Sequence, residues 1–125
     1  EILASDWSSD VCSSDLFIGE GTKIDNQVHV AHDTVIGKKC LIASQVGIAG
    51  CTIIEDEVTL WGQVGITSGV TIGKKAVVSA QSGVSKSLEG GKGYFGTPAD
   101  DFRKKYKELA AIRLIPKIIE KFNIK

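Results

Sequence analysis

An aliphatic side chain recurs at every sixth position of the chain from Ile18 to Val84. The twelve positions are all Ile, Leu or Val: Ile18, Ile24, Val30, Ile36, Ile42, Ile48, Ile54, Leu60, Ile66, Ile72, Val78 and Val84. Four residues after each comes a mostly small or β-branched side chain, as at Thr34, Cys40 and Val46. Neither a helix with 3.6 residues per turn nor a simple amphipathic strand produces a period of six.

This period predicts a solenoid in which each hexad forms one short strand and a corner. Three hexads make a coil of 18 residues, and successive coils stack at the strand spacing of ~4.8 Å. The aliphatic residues then point inward in three columns, one of which holds Ile18, Ile36, Ile54 and Ile72. We therefore predict a mainly β protein whose residues 17–87 form a parallel β-helix of about four coils.

The period ends after Val84. Residues 88–98 contain four glycines and predict an exit loop. Residues 99–125 carry apolar side chains at steps of three and four and predict a C-terminal helical region. We expect Thr97 and Pro98 to cap this region and form its first turn, and Pro116 to kink or split the helix.

Residues 1–16 show no such pattern and are rich in Ser and Asp. One interpretation is a flexible leader. The other is that residues 6–16 are a translated sequencing adapter, because their codons can spell a common short-read adapter; where such a segment ends is left open. In either case we expect 1–16 to be non-native or disordered. The chain starts with Glu1 rather than Met, so we expect the natural protein to extend further towards its N-terminus.

Composition narrows the function classes. The chain has 42% hydrophobic residues, which argues against a disordered protein, and no apolar run long enough to span a membrane. Two histidines are too few for a zinc site with three His ligands, and no Cys-x-x-Cys pattern occurs. No phosphate-binding Gly motif or aromatic and basic nucleic-acid surface is present. We therefore expect no metal, no nucleic acid and no transmembrane segment, with a reducing cytoplasm as the default compartment.

His32 and Gly50 are the residues whose positions suggest chemistry. In the repeat register His29 points outward from a strand and His32 lies on a corner. Gly50 is 18 residues after His32, one coil away, so the two are expected to be neighbours. The alternatives that remain are an ordinary solvated histidine and a glycine required by a tight corner.

Three segments resemble the UDP-3-O-acylglucosamine N-acyltransferase family within the hexapeptide-repeat acyltransferase superfamily. They are IGEGTKIDNQVHVAHDTVIG, the IAG that ends at Gly50, and GTPADDFRKKYKELAAI near the C-terminus. The resemblance covers the family's C-terminal part and implies a left-handed β-helix, a homotrimer, a role in lipid A synthesis and a cytoplasmic, Gram-negative setting. It also implies that the family's N-terminal uridine-binding domain is absent from these residues.

The same resemblance assigns roles to residues. It makes His32 the general base that accepts a proton from the sugar's 2-amino group, and gives the Gly50 backbone N–H a role in binding the thioester oxyanion. Asn26 and Ser68 are candidate substrate-binding residues. A second histidine that some members use has no counterpart, since the segment reads ITSGVTI.

The resemblance also implies the partners. The donor would be a 3-hydroxyacyl chain on the phosphopantetheine arm of acyl carrier protein, and the acceptor a UDP-linked acylated glucosamine. Residues 99–125 hold 8 basic and 4 acidic side chains, so Arg103, Lys104 and Lys105 are predicted to dock the acidic carrier protein; a solvated helix face is the alternative. Two other functions stay open: an acetyl-CoA-dependent sugar acetyltransferase and a non-catalytic solenoid.

Overall fold

Twelve two-residue strands wind into a prism in the computed structural model, which describes residues 15–123. Their bounds are β1 Phe17–Ile18, β2 Lys23–Ile24, β3 His29–Val30, β4 Val35–Ile36, β5 Leu41–Ile42, β6 Gly47–Ile48, β7 Ile53–Ile54, β8 Thr59–Leu60, β9 Gly65–Ile66, β10 Thr71–Ile72, β11 Val77–Val78 and β12 Gly83–Val84. Two further strands, β13 Gly93–Phe95 and β14 Asp100–Asp101, precede the single described helix, α1 Phe102–Phe122.

The strands form three sheets, one on each side of the prism, and all of their pairs are parallel except β13 with β14. Sheet A has the order β1-β4-β7-β10, sheet C the order β12-β9-β6-β3, and sheet B contains β11-β8-β5-β2 with β13 and β14 added at one end. Each strand pairs with the strand one coil away, so that Ile18 lies beside Ile36 and Ile24 beside Ile42. The predicted fold class is confirmed: a parallel β-solenoid of about four coils, consistent with a left-handed β-helix of hexapeptide repeats.

The aliphatic columns form the core as predicted. From the second coil onward every sixth residue is buried, and Ile36, Ile42 and Ile54 are each 0% exposed. The small residues four positions later are buried as well, and desolvation raises the pKa of the Cys40 thiol above its usual value. In the first coil Ile18 and Ile24 are exposed, because no coil covers them within residues 15–123.

The corners require a left-handed backbone at one residue each. Nine non-glycine corner residues have φ between 55° and 64°, a conformation that costs ~1–2 kcal/mol for side chains with a Cβ. At one corner Gln27, Gln45, Gln63 and Gln81 form a ladder of amide hydrogen bonds of 2.7–2.9 Å. These side-chain bonds between coils help to offset the cost of the corner and hold the coils in register.

The C-terminal region differs from the sequence prediction in three ways. The predicted exit loop contains β13, which pairs in parallel with β11 and places Tyr94 in the core. The helix begins at Phe102, not next to Thr97 and Pro98, because Ala99 is buried with its N–H bonded to Gly83. Asp101 caps the helix instead, accepting a 2.9 Å hydrogen bond from the backbone of Arg103.

The predicted split of the helix at Pro116 is wrong. α1 runs without interruption through Pro116 to Phe122. A proline removes one hydrogen bond and crowds the preceding turn, but a helix surrounded by solvent has room to adjust there. Within residues 15–123 the helix meets the prism at its start, where the ring of Tyr106 stacks on Phe95 at 5.6 Å and on Phe102 of the same helix at 5.9 Å. Within residues 15–123 no helix combines the length and hydropathy needed to span a membrane.

Candidate active site

His32 lies at the corner between sheets C and A, and is the second of the four residues that connect β3 to β4. Its side chain is 75% exposed. The corner is held from the next coil, because the Cys51 backbone N–H donates to the His32 carbonyl at 3.1 Å. This bond fixes the backbone that carries the imidazole while leaving the ring accessible to a substrate.

Asp33 contacts one nitrogen of this imidazole. The distance from His32 Nδ1 to Asp33 Oδ2 is 2.9 Å, and the Asp33 side chain is only 22% exposed. A carboxylate can only accept a hydrogen bond, so in a neutral imidazole this contact favours the tautomer with the proton on Nδ1 and the lone pair on Nε2. Asp33 is not among the residues that the sequence predicts for the site. The sequence does place an Asp directly after the corner histidine. Asp is one of the residues that tolerate the left-handed backbone conformation, and Asp33 adopts it here with φ 57°.

Gly50 is in contact with the His32 ring, as the 18-residue spacing predicts. A Cβ at Gly50 would lie 2.6 Å from His32 Cε1 and 2.7 Å from Nε2, closer than a real side chain permits. The imidazole therefore occupies the space that a side chain at position 50 would take. The left-handed conformation at this corner belongs to Cys51, with φ 61°, so the turn itself does not require glycine at position 50.

The Gly50 amide makes no hydrogen bond within residues 15–123, although Gly50 is buried. The equivalent amides of Ser44, Gly62 and Ser68 are also unpaired there, but these residues are exposed or half-buried and water reaches them. A buried N–H without a partner is rare in folded proteins. Such an amide beside a candidate base is chemically suited to receive a developing oxyanion.

The two predicted substrate-binding residues, Ser68 and Asn26, lie on different edges of the prism. Ser68 is exposed on the same corner as His32 and Gly50, one coil beyond Gly50. Its neighbour Gly69 adopts the left-handed conformation of this corner. Asn26 is on the neighbouring corner, between sheets B and C, and its N–H bonds to the Asp25 side chain. The fold thus gathers His32, Gly50 and Ser68 on one edge and leaves Asn26 across β3 from them.

The three cations predicted to dock the carrier protein are at the start of α1 and differ in how free they are to bind a partner: Arg103, Lys104 and Lys105. The Nζ of Lys104 is 2.9 Å from Asp100, and this hydrogen bond is the main reason why the pKa of Asp100 falls from its usual value to about 2. The Lys105 side chain is only 15% exposed and its Nζ is 3.4 Å from Glu108. Arg103 is exposed and has no ion pair within residues 15–123.

One group of side chains near the base has atoms suited to a metal ion. Ligand atoms of His32, Asp33 and Cys51 lie within 4.8 Å of one another. A thiolate ligand needs an unengaged sulfur, and Cys51 already takes part in another interaction. The contacts of His32 with Asp33 and Gly50 are the geometry that bears on its chemistry.

Comparison with known proteins supports the repeat and the fold. Residues 15–50 match the family model described as bacterial transferase hexapeptide (six repeats). A hexapeptide-repeat-containing acetyltransferase from Vibrio cholerae is 28% identical with a TM-score of 0.66, over 70% of this chain and 61% of that chain. No curated protein matches the sequence significantly.

Two more distant structures share the fold. A UDP-N-acetylglucosamine acyltransferase from Francisella novicida is 22% identical with a TM-score of 0.59, over 69% of this chain and 40% of that chain. A protein from Caulobacter crescentus in complex with CoA and GDP-perosamine is 21% identical with a TM-score of 0.56, over 71% of this chain and 51% of that chain. The chain spans about three fifths of the Vibrio protein and less of the others. Residues 15–50 thus match the hexapeptide repeat of bacterial transferases, and the more distant structures share the fold.

Proposed function

We propose that the protein is an N-acyltransferase that moves a 3-hydroxyacyl group from acyl carrier protein to the 2-amino group of UDP-3-O-acylglucosamine. The observation that carries the proposal is the position of the exposed His32 imidazole against Gly50 on the adjacent coil, whose backbone N–H has no hydrogen-bond partner within residues 15–123. This arrangement supplies a base and an oxyanion donor side by side. The proposal also includes a homotrimer, which would bury one side of each prism.

The geometry supports a direct transfer. The amine nitrogen attacks the thioester carbonyl carbon, so that a C–N bond forms and the carbonyl oxygen gains negative charge. The N–H of Gly50 donates to that oxygen, and His32 Nε2 accepts the proton leaving the nitrogen. The C–S bond then breaks and His32 returns the proton to the departing thiolate of the phosphopantetheine arm. Asp33 acts as a positioning residue, because its bond to Nδ1 keeps the lone pair on Nε2.

The donor distinguishes this proposal from a second one. Acetyltransferases with CoA ligands are among the structural neighbours, which favours an acetyl-CoA-dependent sugar acetyltransferase as the alternative. We expect the full chain to form the 3-hydroxyacyl amide from acyl carrier protein with a kcat/KM at least about 100-fold above that for amide formation from acetyl-CoA. Mass spectrometry of the sugar product measures both. A reversed preference would replace the first proposal with the second, and no transfer from either donor would leave the non-catalytic solenoid.

Docking of the carrier protein should depend mainly on Arg103, since Lys104 and Lys105 already have acidic partners. We expect Arg103→Glu to raise the KM for the acyl carrier protein about tenfold with little change in kcat, because charge at the rim of an interface acts mainly on association. Lys75→Glu is the matched control, because it makes the same charge change at an exposed corner of the prism. Glu57 occupies the equivalent position one coil earlier, so this corner accepts a glutamate. Equal KM values for the two variants would remove Arg103 from the docking surface.

A further inference from the structure

The edge of the prism that carries His32, the corner between sheets C and A, continues beyond Ser68 to a lysine. β12 pairs with β9, so that Val84 lies beside Ile66. Lys86 follows Val84 by two residues, at the same step as Ser68 in the coil before it. It therefore occupies the same corner one coil further on, and the order along this edge is His32, Gly50, Ser68 and Lys86.

Lys86 is the only basic side chain on this edge within residues 15–123. Lys23 is on β2, and the other lysines of the coils occupy the corner between sheets A and B: Lys38, Lys39, Lys74 and Lys75. The Lys86 side chain is 59% exposed. Because it shares one edge with His32, an assembly of several copies that keeps this edge open for acyl transfer also keeps Lys86 accessible.

Three acidic side chains line the cleft beside Lys86, and each already has another partner: Glu89, Asp100 and Asp101. Asp100 is 3.6 Å from the Nζ of Lys86 but only 2.9 Å from that of Lys104, so two ammonium groups share one carboxylate. An ammonium group has three N–H donors. Lys86 therefore keeps both donors and unbalanced positive charge for a further anion.

We propose that Lys86 binds the phosphate of the donor's phosphopantetheine arm and so orients the arm along this edge. The inference rests on the proposed function, because it places the reacting thioester beside His32 and Gly50. About 13 bonds join the sulfur of the arm to its phosphorus, which is ~16 Å in an extended chain at ~1.2 Å per bond. Lys86 is two coils from Gly50, ~10 Å along the prism, and its extended side chain adds ~6 Å. The phosphate of an extended arm thus reaches the Lys86 ammonium group.

The diphosphate of the acceptor sugar fits Lys86 less well. It is attached to C1 of the glucosamine, next to the carbon that carries the reacting nitrogen. About four bonds join that nitrogen to the nearer phosphorus, a distance of ~5 Å or about one coil. Ser68 is one coil from Gly50 and Lys86 is two, so the distances favour the donor phosphate at Lys86.

Binding of the arm without its acyl group tests this assignment. We expect NMR titration of the full chain to give a Kd for 4′-phosphopantetheine about tenfold lower than for pantetheine, which lacks the phosphate, as a hydrogen bond between charged groups provides. Lys86→Gln should bring the two Kd values within about twofold of each other, and Lys86→Arg should keep the difference. Lys75→Gln removes the same charge from the same coil at the corner between sheets A and B and should behave as wild type.

A Lys86→Gln protein that retains the preference for the phosphate would overturn the assignment, and so would a wild-type protein that binds the two compounds equally. Titration with UDP distinguishes the other source of phosphate. If Lys86→Gln weakened binding of UDP and left the preference for phosphopantetheine unchanged, Lys86 would serve the acceptor and the assignment would be wrong. These readouts need no acyl transfer, so failure of the proposed function alone would appear as Lys86-dependent binding of the arm without amide product.

Discussion

His32→Gln is expected to lower kcat by about 10²–10⁴-fold, the range that a positioned general base contributes. Glutamine keeps a polar side chain of similar reach but offers no basic nitrogen for the proton of the attacking amine. The His32 side chain is 75% exposed, so the replacement removes little packing and the solenoid should keep its stability. Steady-state transfer of the acyl group, with thermal unfolding in parallel, measures the two effects separately.

His29→Gln is the matched control for this experiment. It makes the same chemical change three residues earlier, on the outward side of β3, where the side chain is exposed and has no ion pair within residues 15–123. We expect activity within about twofold of wild type. A His32→Gln protein that is as active as this control would exclude His32 as the base and favour the non-catalytic solenoid.

The solenoid could be predicted because the six-residue period is enforced by geometry. Inward positions of the middle coils, such as Ile54 and Leu60, are enclosed by the coils before and after them and are 0% exposed, so only a compact aliphatic residue fits there. The same stacking rule predicted the contact of His32 with Gly50. Because coils of 18 residues stack in register, the sequence predicts both the core residues and the neighbours of any corner residue on the adjacent coils.

The C-terminal region could not be predicted in the same way, because no periodic rule applies to it. β13 extends the core with Tyr94, whose hydroxyl donates a 2.6 Å hydrogen bond to the Glu89 carbonyl. The aliphatic pattern of the repeats does not predict an aromatic residue in the core. The start of α1 depends on tertiary contacts of Ala99 and Asp101, which compete with the local preference of Thr97 and Pro98 to begin a helix.

The partner of the base escaped prediction for a different reason. Asp33 is adjacent to His32, and neighbouring residues in an extended strand point to opposite sides. The left-handed backbone of Asp33 breaks that alternation and returns its carboxylate to Nδ1 of the imidazole. Corner conformation, which the hydrophobic pattern does not encode, thus decides which polar side chains can meet.

Gly50→Ala is expected to lower kcat/KM about 100-fold with little loss of stability. The added Cβ would lie 2.6 Å from His32 Cε1, so the ring must move by about 1 Å to reach an ordinary van der Waals distance. A displacement of that size costs about 100-fold in rate when the reacting groups are held in place. The φ of Gly50 is not left-handed, so alanine fits the backbone and the effect should appear in activity rather than in the free energy of unfolding.

Gly47→Ala and Gly65→Ala separate this effect from the general effect of a methyl group on the prism. No atom lies within 4 Å of a Cβ built at either position, and both glycines begin strands of sheet C that lead to the edge of Gly50. We expect both variants to keep activity within about threefold of wild type, since they leave the ring of His32 where it is. If Gly50→Ala proved equally mild, the imidazole would not need its position against Gly50, and the pairing of base and amide on which the proposed transfer depends would be wrong.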